Sequence, residues 1–230
     1  MQTFEEVILA NKSAIGKVID FNKETDALLP LDFTAANTSL TGEILADTDL
    51  FSDWINQQLK DKNATYGIGG YDEHRTIYTR SVHFDAGEEP RRLHLGVDIW
   101  APAFTPIYNF YDARVHSFAN NNNFGDYGAT IILTYQIDGF EFHVLYGHLS
   151  LASLHGLEEG QIIPKGKAFA TLGIKEENGF WPPHLHFQII ENMNGLKGDY
   201  PGVCKFSERE KYLANCPNPN LILKCSLIID

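Results

Sequence analysis

The sequence predicts a mainly β protein with a helical N-terminal extension, and two patterns carry that expectation. From about residue 90 to 191 the chain runs through short alternating or apolar stretches broken by glycine and proline, as an all-β domain does. Upstream, residues 48–60 place Leu50, Phe51, Trp54, Ile55 and Leu59 on one helical stripe, with Asp47 or Thr48 available as the cap. The 230 residues suffice for one large domain with a substantial addition, and a hydrophobic content of 43% supports an ordinary packed core. Three regions are therefore expected: a helical extension over 1–65 packed on the core, a β domain over 66–195, and a tail over 196–230 packed on it.

In chain order, Phe4, Val7 and Ile8, then Ile15, Val18 and Ile19, recur at helical intervals, with Gly16 counting against an unbroken helix. After the 48–60 helix, a glycine-rich stretch at 67–70 leads through Tyr71–Arg75 into Thr76-Ile77-Tyr78-Thr79-Arg80, which reads as a strand. Glu73, Arg75 and Tyr78 are candidates for the wall of a substrate groove. Strands are expected at 129–133, 140–146, 168–172 and 185–190, with a polar loop over 120–125. The segment 178–183 delivers the last strand, and Trp181 is placed to line a cleft. In the tail, a helix is expected around 207–214.

The last strand carries the most informative chemistry. Side chains alternate faces along a strand, so His184, His186 and Gln188 share one face while Leu185, Phe187 and Ile189 anchor the other in a core. Two imidazoles and an amide on one face suit metal binding or acid–base work. A second cluster is His94-Leu95-Gly96-Val97-Asp98. A straight strand separates His94 from Asp98 by roughly 13 Å, whereas zinc ligands with bonds of about 2.0–2.2 Å must converge. If both bind one ion, the strand bends between them, and Gly96 at the midpoint permits a bend or a close approach. A third cluster places His148 beside Gly147 at the end of an apolar strand. Together these supply His94, Asp98, His148, His184 and His186. That number suits a catalytic zinc site, with three protein ligands and a position for water, plus two histidines for proton transfer. His74, His83, His116, His143 and His155 fit no such pattern and read as structural or exposed.

These motifs resemble the lysostaphin/LytM-type zinc metallopeptidases, peptidase family twenty-three of the metallopeptidases. The family's His-x3-Asp, Tyr-x-His-Leu and His-x-His-Phe elements appear in order as His94–Asp98, Tyr146–Leu149 and His184–Phe187. Connecting landmarks also match: Ala101-Pro102 to Thr105-Pro106-Ile107, the Asp126-Tyr127-Gly128 turn, and the glycine-punctuated stretch from Gly160 to Gly173. The likeness covers about residues 90–191. It implies a lysostaphin-type antiparallel β-sheet or sandwich, a duplicated hybrid motif with barrel-sandwich character. It further implies one Zn2+ per chain held by His94, Asp98 and His186, with His148 and His184 as the catalytic pair in cleavage of peptide or amide bonds. Which histidine acts as general base stays open. The family's usual substrates are cell-wall peptides. Two departures, Thr134-Tyr135 where many members carry histidine and Gln188 where many carry glutamate, touch substrate shape and the outer hydrogen bonds that orient ligands. The tail, the Arg75 region and Trp181-Pro182-Pro183 also resemble a subgroup found alone or beside phosphotransferase and aminotransferase domains.

Charge and composition narrow the partners. Thirty acidic residues against eighteen basic give a net charge of −12, which disfavours nucleic acid, acidic membranes and anionic walls. No run approaches the roughly 20 apolar residues needed to cross a bilayer, and the first residues lack a basic and apolar leader pattern. The expected address is cytoplasmic, and the expected partner a peptide or small amide substrate. Cys204, Cys216 and Cys225 show no Cys-x2-Cys spacing and read as reduced thiols in the tail. Two alternatives remain: a non-hydrolytic ligand- or partner-binding module on the same fold, and zinc hydrolysis of a small non-peptide compound.

Overall fold

The computed structural model describes residues 2–85 and 87–227, with side chains up to Lys224. Its strands are β1 (Leu28–Leu31), β2 (Tyr66–Gly69), β3 (Leu93–His94), β4 (Val97–Trp100), β5 (Pro106–Tyr108), β6 (Ala113–Asn121), β7 (Gly128–Ile137), β8 (Phe140–Leu149), β9 (Ile162–Ile163), β10 (Ala168–Thr171), β11 (His184–Ile190) and β12 (Val203–Cys204). Eight of them form one sheet in the order β1-β2-β4-β11-β8-β7-β6-β9. All neighbours in it are antiparallel except β1 and β2. The longest strands, β7 and β8, are rich in β-branched and aromatic residues that fit a pleated surface. They are joined by Asp138-Gly139, both at positive φ, as a tight hairpin turn requires.

The sheet separates two interiors. Leu185, Phe187 and Ile189 of β11 face the larger one, together with Ile131, Leu133, Phe142 and Val144. On the other face, a second cluster gathers Phe33, Phe51, Ile55, Tyr78, Phe84, Trp100 and Trp181 under the N-terminal segment. A third packs Leu93, Leu95, Ile132 and Leu145 against Tyr200, Cys204 and Cys216 of the tail.

The N-terminal helices are α1 (Phe4–Ala10), α2 (Gly42–Ala46) and α3 (Thr48–Asp61). Asp47 caps α3 by accepting from the amides of Asp49 and Leu50, and the helix buries Phe51 and Ile55. This matches the expected 48–60 helix. Elsewhere the extension differs from expectation. Ile15, Val18 and Ile19 are buried but not helical, because the chain after Ala14 runs alongside Phe110 and Tyr108, with Gly16 N–H donating to the Phe110 carbonyl. Residues 28–31 form an edge strand, where Pro30 is tolerated because it need not donate on the open side. The expected strand at 76–80 is a 3-10 turn over Ile77–Arg80, in which Ile77 and Tyr78 are both buried, so strand alternation does not apply. The tail contributes β12, α4 (Arg209–Leu213) and α5 (Asn220–Leu227), α4 lying within the helix expected at 207–214. Cys204 and Cys216 are buried thiols; the side chain of Cys225 lies outside the described residues. No helix among the described residues is long and apolar enough to cross a membrane.

Candidate metal centre and active site

Strand register brings the motifs together. Central strand β11 pairs His186 with Asp98 of β4 on one side and with Gly147 of β8 on the other, and His184 faces Trp100. The run from His94 to Asp98 is not one strand: β3 ends at His94 and β4 begins at Val97, so Leu95-Gly96 breaks it. That break closes the distance expected of a straight strand, leaving His94 Nε2 3.3 Å from Asp98 Oδ1. Gly96 is also required by space, since a Cβ there would stand 2.8 Å from Cε1 and 2.9 Å from Nε2 of His186.

His148 is aimed by a bulge. Between the pairs Ala129–Leu149 and Ile131–Tyr146, β8 carries one more residue than β7. His148 adopts φ of 62°, in the left-handed region that histidine seldom occupies. Its amide donates to the Tyr127 carbonyl at 2.8 Å, which holds the conformation.

His94, Asp98 and His186 form a group whose potential ligand atoms converge. His94 Nε2 lies 3.0 Å from His186 Nδ1, and His186 Nδ1 lies 3.2 Å from Asp98 Oδ1. Tetrahedral ligands at about 2.0–2.1 Å from zinc stand roughly 3.3 Å apart, so the spacing fits. The outer contacts also fit. His94 Nδ1 donates to the Gly70 carbonyl at 2.8 Å, which leaves its Nε2 as a lone pair. Gln188 donates from Nε2 to the Pro201 carbonyl, so its Oε1, 2.8 Å from His186 Nε2, accepts from that nitrogen. His186 Nδ1 is then a lone pair as well. Asp98 turns Oδ2 to Arg75 Nη1 at 2.5 Å, leaving Oδ1 inward. Two lone pairs and a carboxylate oxygen thus face one another with no proton between them, an arrangement that calls for a cation.

Electrostatics agree. Burial pushes the His94 imidazole down to about 4, with the Arg75 charge acting the same way, so it is neutral and able to ligate. Burial alone would raise the Asp98 carboxyl, but the buried Arg75 guanidinium beside it holds it well below the usual carboxylate range. Arg75 is fully buried and also bonds Glu73 Oε2 at 2.7 Å, the Gly70 carbonyl at 3.0 Å and Tyr78 Oη at 3.3 Å.

The remaining two histidines stand beside this group. His148 and His184 lie 4.1 Å apart by ring centroid, and the His184 ring stacks on Trp100 at 4.0 Å. His148 Nδ1 donates to the Asn178 carbonyl at 2.8 Å and His184 Nδ1 to that of Pro182 at 2.7 Å. Each therefore has its Nε2 lone pair free to take a proton. Burial holds both neutral, His184 down to about 4 and His148 well below its ordinary value.

A cavity of about 150 Å³ adjoins these groups, with Asp98, His148, His184 and His186 in its wall. Arg75, Tyr78 and Trp181, expected near substrate, also line it, whereas Glu73 and Gln188 do not: one holds Arg75 and the other His186. Sequence reasoning missed Trp100 and Tyr127. Trp100 follows Asp98 by two on the same strand face, a period-two signal like that of the histidines. Tyr127 sits 5.1 Å from the His186 ring and 5.7 Å from that of His148. Nothing about it was visible beyond the turn that contains it.

Residues 92–197 match the model of peptidase family M23. Over those residues, a little under half of its length, the chain is similar to that family. Similar solved structures include the catalytic domain of lysostaphin from Staphylococcus simulans, 21% identical over 70% of this chain and 96% of that one, with a TM-score of 0.42. A zinc-containing peptidase from Vibrio cholerae is 24% identical over 43% of this chain, with a TM-score of 0.33. Csd3 from Helicobacter pylori is 26% identical over 54%, with a TM-score of 0.34. The chain spans only 27% of the Vibrio protein and 32% of Csd3. Comparison with curated proteins finds no match.

Proposed function

We propose that this protein is a zinc-dependent hydrolase of peptide or other amide bonds. His94, Asp98 and His186 would hold the ion, and His148 and His184 would move the protons. The observation that carries this reading is the triangle of His94 Nε2, His186 Nδ1 and Asp98 Oδ1, with edges of 3.0–3.3 Å and both imidazole tautomers set by outer partners. Zinc bound there supplies a Lewis acid that polarises a carbonyl and acidifies water. The chain does the rest. His148 and His184 offer neutral Nε2 atoms to the same cavity, so one would take the proton of the attacking water and, once protonated, deliver it to the leaving amine, while the other would hold that water by accepting its second hydrogen. Their carbonyl partners, Asn178 and Pro182, hold each ring against rotation during that exchange. Trp100 stacked beneath His184 would favour an imidazolium if the proton is taken there. Burial of the whole group excludes bulk water, which strengthens each interaction.

Metal analysis of purified protein should find about one zinc per chain. It should be lost on chelation and in His186→Ala, and the loaded protein should hydrolyse members of a panel of glycine-rich and wall-derived peptides. A protein that binds no zinc, or binds it and cleaves no amide, would refute the proposal.

A further inference from the structure

We infer that the two segments flanking the M23-matching region close this centre to all but small amides or the terminal residue of a chain. The inference rests on the hydrolase reading above and names its substrate class. Of the twenty residues lining the cavity, eleven lie outside 92–197: six between Arg75 and Arg91, and five from Asp199 to Val203. One wall is built by Ile77, Tyr78 and Phe84, the other by Tyr200, Pro201 and Val203.

Both walls are fixed. Tyr78, Phe84 and Val203 belong to the same buried cluster as Trp100 and Trp181. The second wall is tied by its backbone. The Tyr200 carbonyl accepts from Tyr127 Oη at 3.1 Å, that of Pro201 from Gln188 Nε2 at 3.0 Å, and that of Gly202 from the Leu95 amide at 2.9 Å. Gly202 passes so close that a Cβ would stand 1.9 Å from Tyr127 Oη and 3.3 Å from His186 Cε1. The walls also bond to the segment leading into β3, through the Arg92 amide to the Cys204 carbonyl and the Arg91 amide to that of Phe84.

The recess is partly open to solvent, and its narrowness sets the size limit. About 150 Å³ is the volume of a cavity that takes one benzene-sized molecule, below the 300 Å³ or more typical of drug-sized ligands. That suffices for a reacting amide and one small residue. Cleavage inside a polymer needs several residues on each side of the bond, and the five site residues are only 0–5% exposed. The surrounding surface is largely aromatic and aliphatic.

The test is a length series on zinc-loaded protein: di- and tripeptides of glycine and alanine, the same scissile bond extended by three residues on both sides, and insoluble wall polymer. Expected is a kcat/KM at least tenfold lower for the extended peptides and no release from polymer. Phe84→Ala, or Phe84→Leu should the first not fold, should raise the extended-to-short ratio threefold or more. Interior cleavage of extended peptides at the rate of short ones would overturn the inference and leave the hydrolase reading standing. Calorimetry separates the converse failure: short peptides bound tenfold tighter than extended ones, yet not cleaved, would keep the size limit and remove hydrolysis.

Discussion

Replacing Arg75 with Met tests the centre from outside its ligand set. Arg75 is wholly buried and makes four polar contacts, to Asp98, Glu73, Gly70 and Tyr78. Methionine fills much of the volume and satisfies none of them, leaving the Asp98 carboxylate, 3% exposed by side chain, without its cation. Removing one partner of a buried ion pair typically costs about 3–5 kcal/mol. Loss of an outer partner of a ligand typically weakens metal binding about 10- to 100-fold, equivalent to about 1.4–2.7 kcal/mol. Zinc bound as proposed would supply Asp98 with a replacement positive charge. The destabilisation should therefore be largest in zinc-free protein and smaller with zinc. Urea unfolding with and without zinc measures the first effect, and chelator competition the second. Arg75→Lys should recover only part, because one ammonium cannot serve four acceptors met by a planar fork. If the zinc-free methionine variant lies within about 1 kcal/mol of the parent and zinc affinity changes less than about twofold, the assignment of Arg75 to Asp98 is wrong.

Three further outcomes are expected. His148→Ala and His184→Ala should keep zinc while hydrolysis falls by about 10²–10⁴, the usual worth of a positioned acid or base; loss of metal in either would move that residue into the ligand set. Gly96→Ala drives a methyl against the His186 ring, and should cost about 1–3 kcal/mol in urea unfolding, with weaker zinc binding in chelator competition; unchanged affinity would contradict the close approach. Burial pushes the His143 imidazole down to about 4, so it is neutral in the fold while the unfolded chain takes up a proton near 6.5. Its contribution to stability is complete above about pH 6.5 and is lost as pH falls toward 4. His143→Gln should reduce the drop in urea midpoint between pH 7 and pH 5, and an identical drop would show that His143 does not contribute to it.

The parts of the fold legible in the sequence are those governed by local periodicity. Period-two alternation placed His184, His186 and Gln188 on one face, and the spacing from His94 to Asp98 demanded a break that the structure makes at Leu95-Gly96. The α3 stripe and its Asp47 cap were likewise readable. What escaped depends on distant partners. Arg75 reads as a groove-wall candidate, and its hold on Asp98 emerges only when the fold brings the two together, while Ile77–Arg80 reads as a strand because both Ile77 and Tyr78 prefer sheets. There, burial against Trp100 and Phe84 overrides propensity. Ile15, Val18 and Ile19 show the opposite error: their spacing is helical, yet their burial comes from an extended run against the sheet. Gln188 was visible on the histidine face and as a departure from a familiar glutamate, but not its amide nitrogen's reach to Pro201, a contact that a carboxylate cannot donate.

That amide joins two events that would otherwise be independent. Gln188 touches His186 with one end and the tail with the other, bonding Pro201 and, at 3.4 Å, Cys216 Sγ. Any ion that fixes the His186 ring also fixes the amide, and with it the seating of the tail against the cavity. Linkage is reciprocal: whatever factor by which the seated tail tightens the ion, the ion must tighten the tail. Protease sensitivity around residues 199–216 is therefore a readout of metal occupancy obtainable without any substrate.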